Sequence, residues 1–361
     1  MTTSLATVPT TALLAAAYTH LSRLSDDTAL FEHARYATPN RDHGYCLDDV
    51  ARGLIVLCRD ADSAADSDAD PASAPHGTAD RNRLAERYLA FTTHAQSPDG
   101  RFHNRMSADR RWRDRPGLGD WWGRGLWGLG TAAARSPLPW VRESALHAFA
   151  VGARRRSPWP RAMAFAALGA AEILAAHPTD QAAADLLASA VKLITRIEPS
   201  PDWPWPEPRL YYANAILPEV LIAAGQHLHD DDARKYGLEL LDWLLETESG
   251  PGHLSPTGSH GWGAGEPRPC FDQQPIEAAA LADACARAYA ASGDERWLRG
   301  VERAVRWFLG ENDVGVVLYD EHAGGGYDGL HPDRHNANQG AESTLALISV
   351  LQQGIACERA R

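Results

Sequence analysis

The chain has 361 residues, 44% of them hydrophobic and 23% charged, with a formal net charge of -12. That composition belongs to globular proteins, and its acidity excludes a nucleic-acid partner, because binding a phosphate backbone relies on Lys and Arg displacing counterions. The runs Arg110, Arg111, Arg113, Arg115 and Arg154, Arg155, Arg156 are therefore read as solvated faces or ion-pair partners.

Met1–Thr11 lacks the basic opening of a secretory signal, and Leu13–Tyr18 is too short an apolar run to cross a bilayer, so a cytoplasmic protein with no membrane partner is expected. From there the sequence alternates between two kinds of helix. Amphipathic Thr11–Leu24 is followed by Val50–Leu57, which is apolar nearly all round. The same alternation pairs Arg81–His94 with Gly123–Ala133, Trp140–Arg154 with Ala162–Ala175, and Gln181–Ile197 with Ala213–Ala224. It ends with Asp232–Thr247 and Ile276–Ala290, then Glu295–Leu309 and Ala341–Gln352. The amphipathic members read as outer helices, wet on one face. The apolar members read as inner helices whose Ala and Gly allow close approach.

The pattern predicts an all-α fold of about six hairpins in one domain spanning 1–361. Ala61–Thr78, acidic and rich in Ala, Ser and Pro, reads as a disordered insertion within it. Gly315–Tyr319 reads as one arm of a short β-hairpin. Outer-to-inner connections such as Gln96–Asp120, Gly250–Phe271 and Asn312–Asn338 are long, whereas Arg135–Leu138 and Ala291–Asp294 are short turns. Long loops in a compact domain are usually functional, which places the site on the face where inner helices begin.

The segments opening the inner helices collect Trp, Tyr, His, Asn, Gln and carboxylates, and 12 Trp is high for this length. Sugars require this mixture, since their C–H faces stack on aromatics and their hydroxyls pair with amides and carboxylates. The candidate binding residues are His43, Tyr45, Asp120, Trp121, Trp122, Arg124, Trp203, Trp205, Glu207, Tyr212 and Asn214, followed by His253, His260, Trp262, Gln273, Gln274, Glu277, Tyr327, Asp328, His331, Asn338 and Gln339. Trp127, Trp243 and Trp307 lie within helices and read as core. Asp48, Asp49, Asp272 and Asn338 stand where N-caps would stand.

Glycoside hydrolysis needs one carboxyl group to protonate the leaving oxygen and another to activate water. A helix N-terminus would hold Asp48 or Asp49 ionised as the base, and aromatic walls would raise Glu342 into an acid, with Asp120 and Glu277 in reserve. The five cysteines form an odd set with no close pair, so neither disulfides nor a metal or other cofactor is expected.

With its paired helices and these acidic and aromatic positions, the chain resembles the (α/α)6 toroid superfamily of glycoside hydrolases and N-acylglucosamine and cellobiose 2-epimerases. The strings HGYCLDD, DWWGRGLWGLG, WPWPE, GHLSPTGSHGW and NANQGAES are similar to those of a bacterial family associated with glycan-utilisation loci. The resemblance implies a sugar-processing enzyme, and for a hydrolase of this kind it implies inversion. A short oligosaccharide is the expected partner. The alternatives are a sugar 2-epimerase using two of His43, His253, His260, His331 and His335, and a polysaccharide lyase recruiting Arg124, Arg161 and Arg268. Zinc chemistry at Cys46, Cys270, His253 or His260 and a non-catalytic glycan binder complete the set.

Overall fold

The computed structural model describes residues 9–65, 76–196, 200 and 202–361. Among the described residues, twelve helices form two concentric rings. The outer ring holds α1 (Thr10–Arg23), α3 (His76–Ala95), α5 (Pro139–Gly152), α7 (Gln181–Ile194), α9 (Asp231–Thr247) and α11 (Arg296–Phe308). The inner ring holds α2 (Leu47–Ala65), α4 (Asp120–Arg135), α6 (Pro160–Ala176), α8 (Ile216–His227), α10 (Pro275–Ser292) and α12 (Ala341–Arg359). Each inner helix packs on the next, and α12 returns to α2, closing the ring. The fold is the expected (α/α)6 toroid.

The two helix types arise as their side chains require. In α11, Trp297, Leu298, Val301, Ala304, Trp307 and Phe308 are buried on one stripe, leaving Arg299 and Arg306 in water. In α6 the whole run from Arg161 to Leu174 is buried, so this helix has no wet face. Glycine permits the tight inner contacts: a Cβ on Gly130 would strike the Gly169 carbonyl, and one on Gly169 would strike the Leu126 carbonyl. The backbones of α4 and α6 therefore touch without side chains between them. No helix among the described residues is long and apolar enough to cross a membrane.

Three expectations need correction. Helix α2 runs on through Ala61–Ala65, as its Ala content favours, and α3 starts at His76, so both flanks of the expected insertion are helical. Residues 66–75 lie outside the described residues, as does residue 197 of the expected seventh helix. Gly315–Tyr319 reduces to one antiparallel bridge, between Tyr319 and Gly326, and its first residues form no strand. The Asn312 Oδ1 accepts from the backbone N–H groups of Val314, Gly315 and Val316, which winds this segment into an Asx-type turn. The inner helix expected from Ala213 begins at Ile216, because the Ala213 and Asn214 N–H groups donate to the Glu277 carboxylate and Ala213 sits at φ 45°.

The strands lie in the long loops. β1 (Phe31–Arg35) and β2 (Thr38–Cys46) form an antiparallel hairpin leading into α2, and β3 (Arg105–Met106) adds to β2. β4 (Arg209–Leu210) pairs with β5 (Trp262–Gly263), and β6 (Gly329–Leu330) with β7 (His335–Asn336). These small sheets brace the loops that surround the N-terminal ends of the inner helices.

Candidate active site

The inner helices α4, α6, α8, α10 and α12 begin at Gly119, Trp159, Ala215, Gln274 and Gly340, none of which caps its helix with a side chain. Outer helices α7 and α9 are capped by Asp180 and Asp230. The expected capping positions are used differently. Asp48 and Asp49 fall inside the first turn of α2, Asp272 pairs with His331 at 2.6 Å, and Asn338 accepts from the Tyr36 N–H at 3.0 Å. The first turns of the inner helices supply Asp48, Asp49, Asp120, Glu277 and Glu342 to the ring's centre.

Two connected chambers occupy the axis on this face. The mouth is lined by Glu32, His33, Asp48, Asp49, Asp328 and Ser343 among others. Below it lies a narrower chamber walled by Arg124, Trp127, Phe165, Ile216, Ile276 and Leu345. Arg52 and Glu342 line both. Arg52 Nη1 donates to Glu342 at 2.7 Å and Nη2 to Asp49 at 2.8 Å. Arg124, stacked over Phe165 at 3.8 Å, brings Nε within 3.2 Å of Asp48 Oδ1 without the alignment of a hydrogen bond.

The carboxylates differ in access and in charge. Side-chain exposure is 43% for Glu342 and 22% for Asp48 but 4% for Asp49, so the first two face the lumen and the third stands behind Arg52. Burial raises the Asp48 pKa, and the opposing Arg124 and Arg52 charges do not reverse it; Asp120 and Glu342 push the same way as burial. Burial pushes Asp49 up to about 7 against the pull of Arg52. For Glu342, burial also acts upward, but the charge and hydrogen bond of Arg52 outweigh it and hold the carboxyl below its usual range. The expected directions are thus reversed: Asp48 and Asp49 are pushed up and Glu342 down. Burial overrides the helix dipole at Asp48, and the wall around Glu342 contains a guanidinium where aromatics were expected.

A second cluster joins the starts of α4, α6, α8 and α10. Tyr212 donates its hydroxyl to Asp120. Arg161 donates to Glu207, to Asn214 Oδ1 at 3.0 Å and to the Tyr212 carbonyl. Glu277 accepts from Asn214 through N–H and Nδ2, both at 3.2 Å.

Other expected binding residues serve the framework. Trp122 and Trp205 are fully buried; Trp205 stacks on Trp243 at 5.8 Å. Tyr45 is buried on Phe31 with its hydroxyl on Asp26 at 2.7 Å. Gln273 is buried between Trp307, Cys270 and Asp313. Gln339 is buried and donates to Asp320 at 2.8 Å. Trp203 donates to the Glu207 carbonyl, Trp121 to the Phe102 carbonyl and Trp262 to the Glu266 carbonyl. These rings were attributed to the cleft because Trp near a long loop looks the same in sequence whether it faces sugar or braces the loop.

At the rim, His43 and His260 are exposed, Gln274 starts α10, and Tyr327 stacks on His335 at 3.9 Å. Asp328 accepts from the Gly340 N–H at 2.8 Å and from Ser343, anchoring the start of α12. His253 binds Asp313 at 2.8 Å. Among the residues lining the two chambers, His33 is the sole histidine.

Cys46, Glu32 and Asp49 place ligand atoms within 4.8 Å of one another, the group among the described residues that converges as metal ligands would. Each is already engaged, Cys46 with Asn104 at 3.3 Å, Glu32 with Arg105 and Asp49 with Arg52. Burial raises the Cys46 thiol well above its usual range, opposing the thiolate that zinc takes. Cys270 is exposed and outside this group.

Arg52 and the Glu32, His33 and Arg105 side of the mouth were missed. Arg52 had a signal: it is the one cation in the otherwise apolar stretch Val50–Leu57, one turn beyond Asp48 and Asp49.

The closed double ring, with carboxylates and arginines gathered at its loop face, is an (α/α)6 toroid. Solved structures with this fold include a cellobiose 2-epimerase from Spirochaeta thermophila, at TM-score 0.68 and 12% identity over 97% of both chains. A sugar epimerase from a ruminal bacterium matches at TM-score 0.67 and 13% identity, covering 95% of this chain and 99% of that one. An α-mannanase from Bacteroides thetaiotaomicron matches at TM-score 0.66 and 10% identity, covering 98% and 97%. No protein-family model and no curated protein sequence matches the chain.

Proposed function

We propose that the protein hydrolyses a glycosidic bond in an oligosaccharide, with Asp48 as general acid and Glu342 as general base. The observation that carries this reading is the divergence of two lumen-facing carboxyl groups, Asp48 raised and Glu342 lowered in pKa. Two titratable groups pushed apart by their surroundings are what acid–base catalysis near neutrality requires. Asp48 gives its proton to the glycosidic oxygen, which leaves as an alcohol. Glu342 takes a proton from the water that attacks the anomeric carbon, so one water is consumed per bond. Arg52 keeps Glu342 ionised, Asp49 orients Arg52, and Arg124, Asp120 and Tyr212 offer partners to sugar hydroxyls.

The structural neighbours named as epimerases and mannanase all take sugars, which supports a carbohydrate substrate. Epimerisation by a histidine pair has less support here. His253 and His331 are held by Asp313 and Asp272, His335 is stacked on Tyr327, and His43 and His260 line neither chamber. The test is an oligosaccharide screen by thin-layer chromatography, followed by NMR of the first anomer released. New reducing ends are expected, and the anomer decides between inversion and retention. Deuterium uptake beside the carbonyl without bond cleavage would overturn hydrolysis.

A further inference from the structure

Three aromatic side chains on the loop face are exposed although their backbones are pinned. Tyr36, 63% exposed, forms the tip of the β1–β2 hairpin at φ 53°, a conformation bulky side chains seldom adopt. It is held there because its N–H donates to Asn338 Oδ1 and its carbonyl accepts from the Gln339 N–H, both at 3.0 Å. Trp159, also 63% exposed, opens α6 between Pro158 and Pro160, with its N–H on Ser157 Oγ at 3.2 Å. Tyr211, 46% exposed, has its N–H on Asn214 Oδ1 at 3.0 Å and its ring beneath Arg161 at 5.5 Å. Trp140, the other large exposed side chain, belongs to the outer ring and bonds Glu86.

Their placement on the ring gives them meaning. The inner helices follow one another as α2, α4, α6, α8, α10 and α12, so α12 faces α6 and α2 faces α8 across the axis. Tyr36 is clamped to the strand that leads into α12 and sits on the hairpin that feeds α2. Trp159 and Tyr211 stand at the starts of α6 and α8. Pinned, exposed aromatics thus stand on the loop face at both ends of a diameter of the inner ring, on whose axis Arg52 and Glu342 meet.

Resting on the hydrolase reading, we infer that the substrate is a linear glycan long enough to lie across the whole mouth. Sugars stack on Tyr36 at one rim and on Trp159 and Tyr211 at the other, and the bond cut is internal. Exposed flat rings suit sugar C–H faces, and pinned backbones lower the ordering cost of binding.

The experiment compares wild type with Tyr36→Ala, Trp159→Ala and Tyr211→Ala on a homologous series from disaccharide to hexasaccharide of the glycan identified in the screen. Because all three side chains are exposed, unchanged thermal melting confirms intact folding. In the wild type, kcat/KM should rise with chain length and early products should be internal fragments. Each substitution should cut the hexasaccharide-to-trisaccharide ratio of kcat/KM, by about tenfold for Trp159. An unchanged ratio in all three variants, or release of single sugars from one end, overturns this inference while leaving hydrolysis standing. Binding of the hexasaccharide is followed in parallel by Trp fluorescence, and Trp159→Ala should weaken it. If wild type neither binds nor cleaves any member of the series, the hydrolase reading and this inference fall together.

Discussion

Arg52 and Glu342 are 290 residues apart in sequence and meet at 2.7 Å on the axis of the inner ring. Although 43% of the Glu342 side chain is open, the space it opens to lies deep inside the toroid, so the guanidinium acts through little bulk water. Arg52 lowers the Glu342 pKa against burial. Replacing it by Met leaves burial opposed only by the weaker pulls of Arg124 and His33, and the base then stays protonated to higher pH. The acid limb of the kcat/KM profile should move up by roughly 1–3 pH units in Arg52→Met. An unmoved limb would show that another group sets the ionisation of Glu342.

Glu248 is 1% exposed, accepts the Thr257 N–H through one oxygen and leaves the other without a partner. Burial, then the Glu277 charge, pushes it up to about 7. An unfolded Glu titrates near about 4.3. Between those values the folded state holds a proton that the unfolded state has shed, so stability falls as pH rises, and above the folded pKa the cost is full at about 3 kcal/mol. Glu248→Gln keeps an acceptor for Thr257 and removes that charge. It should stabilise the protein at pH ~8 by about 2 kcal/mol and change little at pH ~4, as read by urea unfolding at both values. Equal effects at both would place the cost elsewhere.

Gly169 packs its backbone on α4, and a Cβ there would meet the Leu126 carbonyl. Ala gains about 1 kcal/mol of helix propensity over Gly, yet forcing two backbones apart costs about 1–3 kcal/mol or more. Gly169→Ala should lower the melting temperature. A rise would mean that the α4–α6 contact is looser than described.

Glu277 orders the turn that carries Tyr212 and Asn214 by accepting from the Ala213 N–H and the Asn214 N–H. In Glu277→Gln one oxygen becomes an amide donor, so one of these buried N–H groups loses its acceptor. Destabilisation of about 1–3 kcal/mol is expected in denaturant unfolding. Turnover should fall as well, because Arg161 and the Tyr212–Asp120 contact rest on this turn. A fully stable Gln variant would show the turn to be held by other contacts.

The helices were legible because their burial is written as period and composition. Ala341–Gln352 and Asp232–Thr247 fall inside the observed α12 and α9 with nearly the same starts. The gathering of the long loops where inner helices begin was legible too, from the lengths of the connections. Contacts across the ring were not legible. Nothing near Glu342 in sequence announces Arg52, so the direction in which its carboxyl is pushed was not legible. Trp205 and Gln273 resemble cleft residues by type, yet both are spent on packing and internal hydrogen bonds. The β1–β2 hairpin escaped notice because its second strand, Thr38–Cys46, is mostly polar and exposed in its first half, without the alternation that marks a half-buried strand.

The most direct test of hydrolysis by Asp48 and Glu342 is the pH dependence of kcat/KM for wild type, Asp48→Asn and Glu342→Gln on the cleaved oligosaccharide. A bell-shaped wild-type profile is expected, with Glu342 setting the acid limb and Asp48 the alkaline limb. Each variant should lose about 10²–10⁴-fold in rate and the limb that belongs to it. Full turnover in either variant, or a profile whose limbs survive both substitutions, would contradict the assignment.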